Sequence, residues 1–333
     1  MSDPAGRRVL VTGAGGFIGH HLVASLLDEG YEVVAFLRYT SGGGHGLLSL
    51  LPPRLAGRYE AVLGDLRDFE SVRRAMRGCS AVLHLGALIG IPYSYDSPSD
   101  VFGVNAMGTL NVLQAARDTD SIERIVITST SEVYGTVGEG LITEEHPLRA
   151  QSPYAASKIA ADQLALSFHR SFGLPVAICR PFNTFGPGQS ARAVVPTIVS
   201  QALWEDRIAL GSLHPVRDLS YVTDIAGAFL CMLRADGIEG RTIQFGSGEG
   251  VSVGDLAGMI IEIAGRAGLP VVEDESRIRP GASEVGRLVA STALAESLTG
   301  WGPSIGLRQG LELTVDWVSG HPGLYPSPGL YRT

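Results

Sequence analysis

Short apolar runs and longer stretches with helical spacing alternate along the first half of the chain. Residues 8–12 form an apolar run that ends in glycines. Residues 18–29 carry apolar positions at helical spacing and stop at Gly30, a residue suited to the end of a helix. Further strand-like runs fall at 31–37, 59–63, 80–85, 124–128 and 175–180, and helix-like segments at 71–77, 101–117 and 153–172. Strands alternating with helices require right-handed crossovers and predict an α/β fold with a parallel, doubly wound sheet. The runs are nearly continuous Val, Ile and Leu, the pattern of strands covered on both faces.

After Pro181 the alternation loosens into short helices, Gly/Pro loops and isolated strands. The pattern reads as a Rossmann dinucleotide-binding domain over 1–180, with 217–248 returning to it. A smaller, interleaved C-terminal lobe for substrate takes 181–216 and 249–320. Residues 41–46 read as a flexible loop, and 321–333, rich in Pro, Gly and Tyr, as a loosely packed tail.

Composition narrows the class. The 333 residues are 45% hydrophobic and 18% charged, an ordinary globular mixture long enough for a large core. A net charge of −8 and no dense Lys/Arg run argue against a nucleic-acid partner. A few arginines still suffice for a local phosphate pocket. Cys79, Cys179 and Cys231 lie far apart without metal-ligand spacing and read as inert thiols of a cytoplasmic protein. The uncharged stretch 78–95 is broken by glycines, His84 and Pro92, so no membrane span is expected.

Candidate chemistry begins at Val11-Thr-Gly-Ala-Gly-Gly-Phe-Ile-Gly19, between the first strand and the first helix. Gly13, Gly16 and Gly19 permit a tight turn and close approach of backbone to a pyrophosphate, and Phe17 and Ile18 open the helix that receives it. A lone glycine motif is weak evidence; its place between strand and helix strengthens it. Dinucleotide sites that take NAD usually put an acid after the second strand, yet residues 33–59 contain neither Asp nor Glu. Arg38 stands there, followed by Thr40 and Ser41, which suits a 2′-phosphate and favours NADP over NAD. The plainer alternative is an arginine that only covers the adenine ring. Asp65, with Leu66 beside it, follows the third strand where a carboxylate can accept from the adenine amino group; otherwise it is a solvated turn.

Tyr154-Ala-Ala-Ser-Lys158 places a phenol and an ammonium one turn apart on one helix face. The ammonium is expected to lower the phenol's pKa and fit it for proton exchange with a sugar hydroxyl. The pair follows the fifth strand and the cluster Thr128-Ser-Thr-Ser-Glu-Val-Tyr-Gly135.

Together these segments resemble the extended short-chain dehydrogenase/reductase family, which includes nucleotide-sugar epimerases and dehydratases, and the similarity spans residues 9–301. The resemblance implies a triad of Thr130, Tyr154 and Lys158, with Lys158 also holding the nicotinamide ribose and Leu85 lining the cofactor site. The pair Ser131-Glu132 is similar to the 4,6-dehydratases of the GDP-mannose and bacterial UDP-N-acetylglucosamine types; epimerases tend to carry small or neutral residues there. Segments 152–167 and 189–196 look most like dehydratases of legionaminic-type pathways. By the same resemblance Asn105 organises the substrate side, Asn183, Arg217 and Arg279 reach the sugar diphosphate, and Arg192 is a further substrate-binding residue. Each arginine taken alone is as apt to be a surface ion-pair partner. The chain departs from the family at Gly86, often Ala, and at Ser291, often Asp.

The reading is an NAD(P)-dependent nucleotide-sugar 4,6-dehydratase that moves hydride from C4 to the nicotinamide and on to C6. Its cofactor, NADP or NAD, stays tightly bound and is regenerated each cycle. A 4-epimerase, a 5,6-dehydratase and a non-catalytic dinucleotide sensor stay open as alternatives. Apolar faces on 101–117 and 153–172 exceed what the sheet needs, and relatives pair such helices between subunits, so a homodimer is expected.

Overall fold

The computed structural model describes residues 6–278 and 280–325; Arg279 and residues 326–333, most of the expected tail, lie outside the described residues. The first half alternates β1 (Arg8–Thr12), α1 (Phe17–Asp28), β2 (Glu32–Arg38), β3 (Glu60–Gly64), α2 (Phe69–Met76), β4 (Ala81–His84), α3 (Ile91–Asp96), α4 (Pro98–Phe102), α5 (Gly108–Arg117), β5 (Arg124–Thr128), α6 (Pro153–Phe172) and β6 (Val176–Pro181). The second half adds β7 (Asn183–Phe185), α7 (Val194–Trp204), β8 (Ile208–Leu210), β9 (Val216–Tyr221), α8 (Val222–Arg234), β10 (Thr242–Phe245), β11 (Gly250–Ser252), α9 (Val253–Ile263), β12 (Val271–Glu273), β13 (Arg287–Leu288), α10 (Ala293–Thr299) and α11 (Leu307–Gly320).

The large sheet runs β10-β6-β5-β4-β1-β2-β3, and its strand pairs are parallel. Both faces are covered, which explains the unbroken apolar runs: along β1, Val9 and Val11 enter one core with Leu22, Leu26 and Phe229, while Leu10 enters the other with Val72, Val112 and Ile125. The order reverses between β1 and β4, and ligands of such sheets bind at the strand ends beside that switch.

The second half supplies two smaller sheets, β11-β9-β13 with β7 also on β9, and β12-β8. Their core holds Phe185, Ile198, Leu219, Tyr221, Leu256 and Leu311. After β9 the chain returns to the large sheet, where α8 packs on α1 and β10 extends the sheet beyond β6.

Helical backbone expected as one run over 101–117 starts earlier and is interrupted. Between α4 and α5 a π turn spans Gly103–Met107, flanked by ordinary right-handed helical backbone at Phe102 and Gly108. Such single-turn insertions tend to occur at functional sites, and this one carries Asn105.

Candidate active site

The cofactor side grows from the end of β1. The chain turns at Gly13, whose φ is +69°, and enters α1 after Gly16. A Cβ on Gly13 would lie 2.8 Å from the Gly86 nitrogen, and one on Gly19 would lie 2.1 Å from the Gly13 carbonyl oxygen. Only glycine fits either place. No side chain caps the N-terminus of α1 and its first turn holds no acid, so its N–H groups and positive dipole end remain available to an anion. Gly16 is exposed, with Phe17 and Ile18 half-buried behind it. The chain that follows the glycine-rich stretch 41–44 docks here: Leu47 donates its N–H to the Gly15 carbonyl at 2.9 Å.

Arg38 ends β2 opposite Gly64 in the β3 register and is exposed. Asp65 accepts from the Arg67 backbone at 2.9 Å and from its guanidinium at 3.0 and 2.7 Å. Those hydrogen bonds, with a smaller push from Arg38, hold its carboxyl below the usual range. Leu66 is buried and Leu85 continues from β4, its N–H bound to Thr12. An alanine in place of Gly86 would bring a Cβ within 2.7 Å of Leu66 Cδ1, so the departure at 86 matches the tight packing of this cradle.

The catalytic side joins β5 to α6. Ser152 caps α6 by accepting from the Ala155 N–H at 3.1 Å, Pro153 opens it and Gly173, with φ +70°, closes it. Tyr154 and Lys158 both lie on its buried face. Thr130 caps the short 3₁₀ turn Ser131–Tyr134, accepting from the Glu132 N–H at 3.3 Å, and its hydroxyl also bonds the Tyr154 phenol. Ser131 is buried, and Glu132 is half-buried and close enough to act electrostatically on Tyr154. The structure thus brings all five catalytic candidates together.

Their electrostatics differ from expectation. Burial pushes the Tyr154 phenol well above its ordinary value; the Thr130 bond pulls it back, while Glu132 and Asp162 push it further up. Burial also draws Lys158 down to about 8. The expected lowering of the phenol by the ammonium is therefore not found: burial dominates, and the lowering influence on Tyr154 comes from Thr130.

Asn105 is 1% exposed, and its amide is engaged: Oδ1 accepts from the Leu88 N–H at 2.8 Å, and Nδ2 donates to the Leu88 carbonyl and to Ser157 Oγ, each at 2.9 Å. It ties the loop after β4 to α6 and offers no free donor to a ligand. Asn183 opens β7, half-buried, with Oδ1 lacking a hydrogen-bond partner. Arg192 is exposed just before α7. Arg217 is 8% exposed on β9, donates to the Val216 carbonyl and stands 3.5 Å from Glu284.

Sequence reasoning passed over His84, buried at the end of β4. Thr109 donates to the Asn105 carbonyl at 2.6 Å, so it accepts from His84 Nε2 at 3.1 Å, and Nδ1 is left to accept from Thr12 Oγ1 at 2.7 Å. Thr12 in turn accepts from the Gly86 N–H at 3.1 Å. Burial, aided by Lys158, holds His84 down to about 3, so it stays neutral. The chain of bonds runs from the glycine cradle to Asn105; a lone histidine ending an apolar strand was the available signal. Among the described residues no helix is long and apolar enough to cross a membrane.

Comparison with known proteins agrees with this architecture. The family model described as GDP-mannose 4,6 dehydratase matches residues 10–314. A dTDP-glucose 4,6-dehydratase of Streptomyces griseus is 35% identical over 94% of this chain and 94% of its own. A putative UDP-glucose 4-epimerase of Methanocaldococcus jannaschii is 29% identical over 93% and 98%. The crystal structure of a dTDP-glucose 4,6-dehydratase from Streptomyces venezuelae with NAD bound superposes with a TM-score of 0.85 at 31% identity, covering 96% of this chain and 98% of that one. The glycine cradle, the Thr130–Tyr154–Lys158 group and these matches place the chain in the extended short-chain dehydrogenase/reductase family of NAD-dependent nucleotide-sugar epimerases and dehydratases.

Proposed function

We propose that the protein is a nucleotide-sugar 4,6-dehydratase that converts a nucleoside-diphosphate hexose to its 4-keto-6-deoxy form. Relatives include dehydratases and an epimerase, so membership alone does not choose between them. The observation that carries the choice is Glu132, a half-buried carboxylate beside Thr130 and within electrostatic reach of Tyr154. Removing water across C5 and C6 requires a base at C5, whereas 4-epimerisation moves no C5 proton.

The cradle of Gly13, Gly16 and Gly19 and the uncapped start of α1 fit a dinucleotide pyrophosphate. A dinucleotide held there would supply a hydride acceptor for C4 and a hydride donor for C6. Arg38 and the absence of acids over 33–59 support NADP over NAD, although the Streptomyces venezuelae relative was crystallised with NAD. The chain's own residues handle protons. Tyr154 must give up its own proton before it can take the one on O4; Thr130 and the Lys158 ammonium favour that phenolate, which becomes a neutral phenol again as it accepts the O4 proton. The 4-ketone acidifies the C5 proton, which Glu132 removes. The C6 hydroxyl leaves as water with the proton that Glu132 took from C5, Ser131 and Thr130 hydrogen-bonding near it, and a proton from solvent then returns to C5. Asn183, Arg192 and Arg217 are the described residues suited to the diphosphate, arginine being the better phosphate fork. Exposed Phe102 and Met107 with Leu110 and Leu164 form an apolar groove between the π-interrupted helix and α6, which supports pairing with a second copy.

Incubation with a panel of nucleotide sugars, read by mass spectrometry, tests the reaction: a dehydratase product is lighter by one water, an epimerase product is unchanged in mass. With the substrate found, Glu132→Gln should keep C4 oxidation and stall elimination by about 10²–10⁴-fold. Reduced nicotinamide should then accumulate while deuterium exchange at C5 nearly vanishes. Full turnover of the variant removes Glu132 from the role of base.

A further inference from the structure

The chain holds 26 basic side chains, of which 25 are arginine; Lys158 is its single lysine. Arginine serves even at surface pairs such as Arg73–Glu70 and Arg308–Glu262. A guanidinium stays charged wherever it is placed, whereas an ammonium responds to its surroundings. The lone lysine therefore marks the point where a tunable cation is needed, and something must keep it charged, because Lys158 is 3% exposed.

Asp162 lies one turn further along the same face of α6 and is 1% exposed. Its Oδ2 accepts from Ser129 Oγ at 2.6 Å and from Arg180 Nη2 at 2.8 Å. Arg180 does not close a two-pronged pair on the carboxylate. Its Nη1 goes to the Tyr134 hydroxyl at 2.7 Å and its Nε to Ser129 Oγ at 3.3 Å. Tyr134 donates onward to Gln244 Oε1 at 2.9 Å. The carboxylate is thus anchored from the end of β5 and from β6, with β10 behind, while Oδ1 has no hydrogen-bond partner. A buried carboxylate kept only for structure would use both oxygens. Other groups around the lysine do not replace it. Tyr154 is neutral at rest, His84 is neutral, Glu132 lies toward Tyr154, and Asp100 on α4 is bound to Arg67 and Tyr93. Tyr95 on α3 is bonded to Ser283, and Asp96 is exposed to solvent. Asp162 is the charge that favours the ammonium.

We propose that Asp162 is a positioning residue of this site: its carboxylate, fixed by Ser129 and Arg180 with Oδ1 left over, holds Lys158 in its charged form beside Tyr154. The electrostatic part stands on the i,i+4 placement of two buried side chains on one face of α6 and on the unpartnered Oδ1, with the upward influence of Asp162 on Lys158 in support; its effect on turnover rests on the dehydratase reading.

The single lysine makes the test direct. Protein grown with lysine carrying ¹³C in its side chain yields one lysine signal, and its shift against pH reports the titration of Lys158 without any substrate. The midpoint should lie near 8 in the native protein. In Asp162→Asn it should fall by about one pH unit or more, a tenfold loss of proton affinity. Asp162→Asn leaves Arg180 buried without its counter-charge, so the double variant Asp162→Asn/Arg180→Met, which removes both charges, guards against misfolding. Its lysine midpoint should fall as well, and Asp162→Glu should restore most of the shift. An unchanged midpoint in a folded variant lacking the carboxylate overturns the proposal. Once a substrate is in hand, the basic limb of kcat should move down with the midpoint while KM stays near its native value. A panel that yields no turnover leaves the lysine titration to decide, so failure of the dehydratase reading and failure of this one are separate results.

Discussion

On the large sheet, β1, β4 and β5 run directly into the candidate cofactor and catalytic residues: Gly13 after Thr12, Leu85 after His84, Thr130 two residues beyond Thr128. In the smaller lobe, Asn183 opens a three-residue strand, Arg192 stands exposed before α7, and Arg217 shares its charge with Glu284. Buried strands with a core on each face hold the first set rigidly, so a small change there has nowhere to relax. The second set is gathered from short segments of the smaller lobe. If the proposed roles hold, the difference teaches that chemistry and cofactor binding are concentrated where tolerance is least, and substrate choice where variation is cheapest.

The largest effect should follow from the buried phenol. Tyr154→Phe should lower turnover by about 10²–10⁴-fold while the protein stays folded and keeps its dinucleotide; near-normal rates would break the assignment. Next comes the cradle. Gly19→Ala drives a Cβ into the Gly13 carbonyl and should cost about 1–3 kcal/mol in denaturant melts, with dinucleotide binding lost by fluorescence titration. Retained affinity would show that the cradle relaxes after all. Arg38→Asp should weaken NADP by about tenfold more than NAD, since an attraction becomes a repulsion; equal changes would sink the NADP assignment. The smallest effect is expected in the lobe. Arg217→Gln should raise KM for the nucleotide sugar by about tenfold with dinucleotide affinity unchanged, and a fall in kcat of the Tyr154→Phe size would erase the distinction between the two regions.

Legibility follows the same divide. The glycine motif, the i,i+4 placement of Tyr154 and Lys158 and the hydroxyl cluster after β5 are short-range patterns, and each is found where its spacing implies. The π turn at Gly103–Met107 escaped notice because helical periodicity runs through it almost unchanged. The expected lowering of the Tyr154 phenol failed because spacing places the ammonium on the same face but says nothing about the burial that dominates the phenol. His84 and Asp162 were passed over because their partners come from distant segments: Thr12 and Thr109 for one, Ser129 and Arg180 for the other.

By itself the sequence determined the doubly wound sheet, the strand–glycine–helix cradle and the pairing of phenol with lysine, because each depends on neighbours within a few residues and on whether a strand has one or two covered faces. The tertiary structure alone decided which oxygens of Asp162 are engaged, which tautomer His84 holds and how far burial moves Tyr154 and Lys158. These are properties of a shared low-dielectric interior, in which the strength of each charge depends on groups that the chain order keeps far apart.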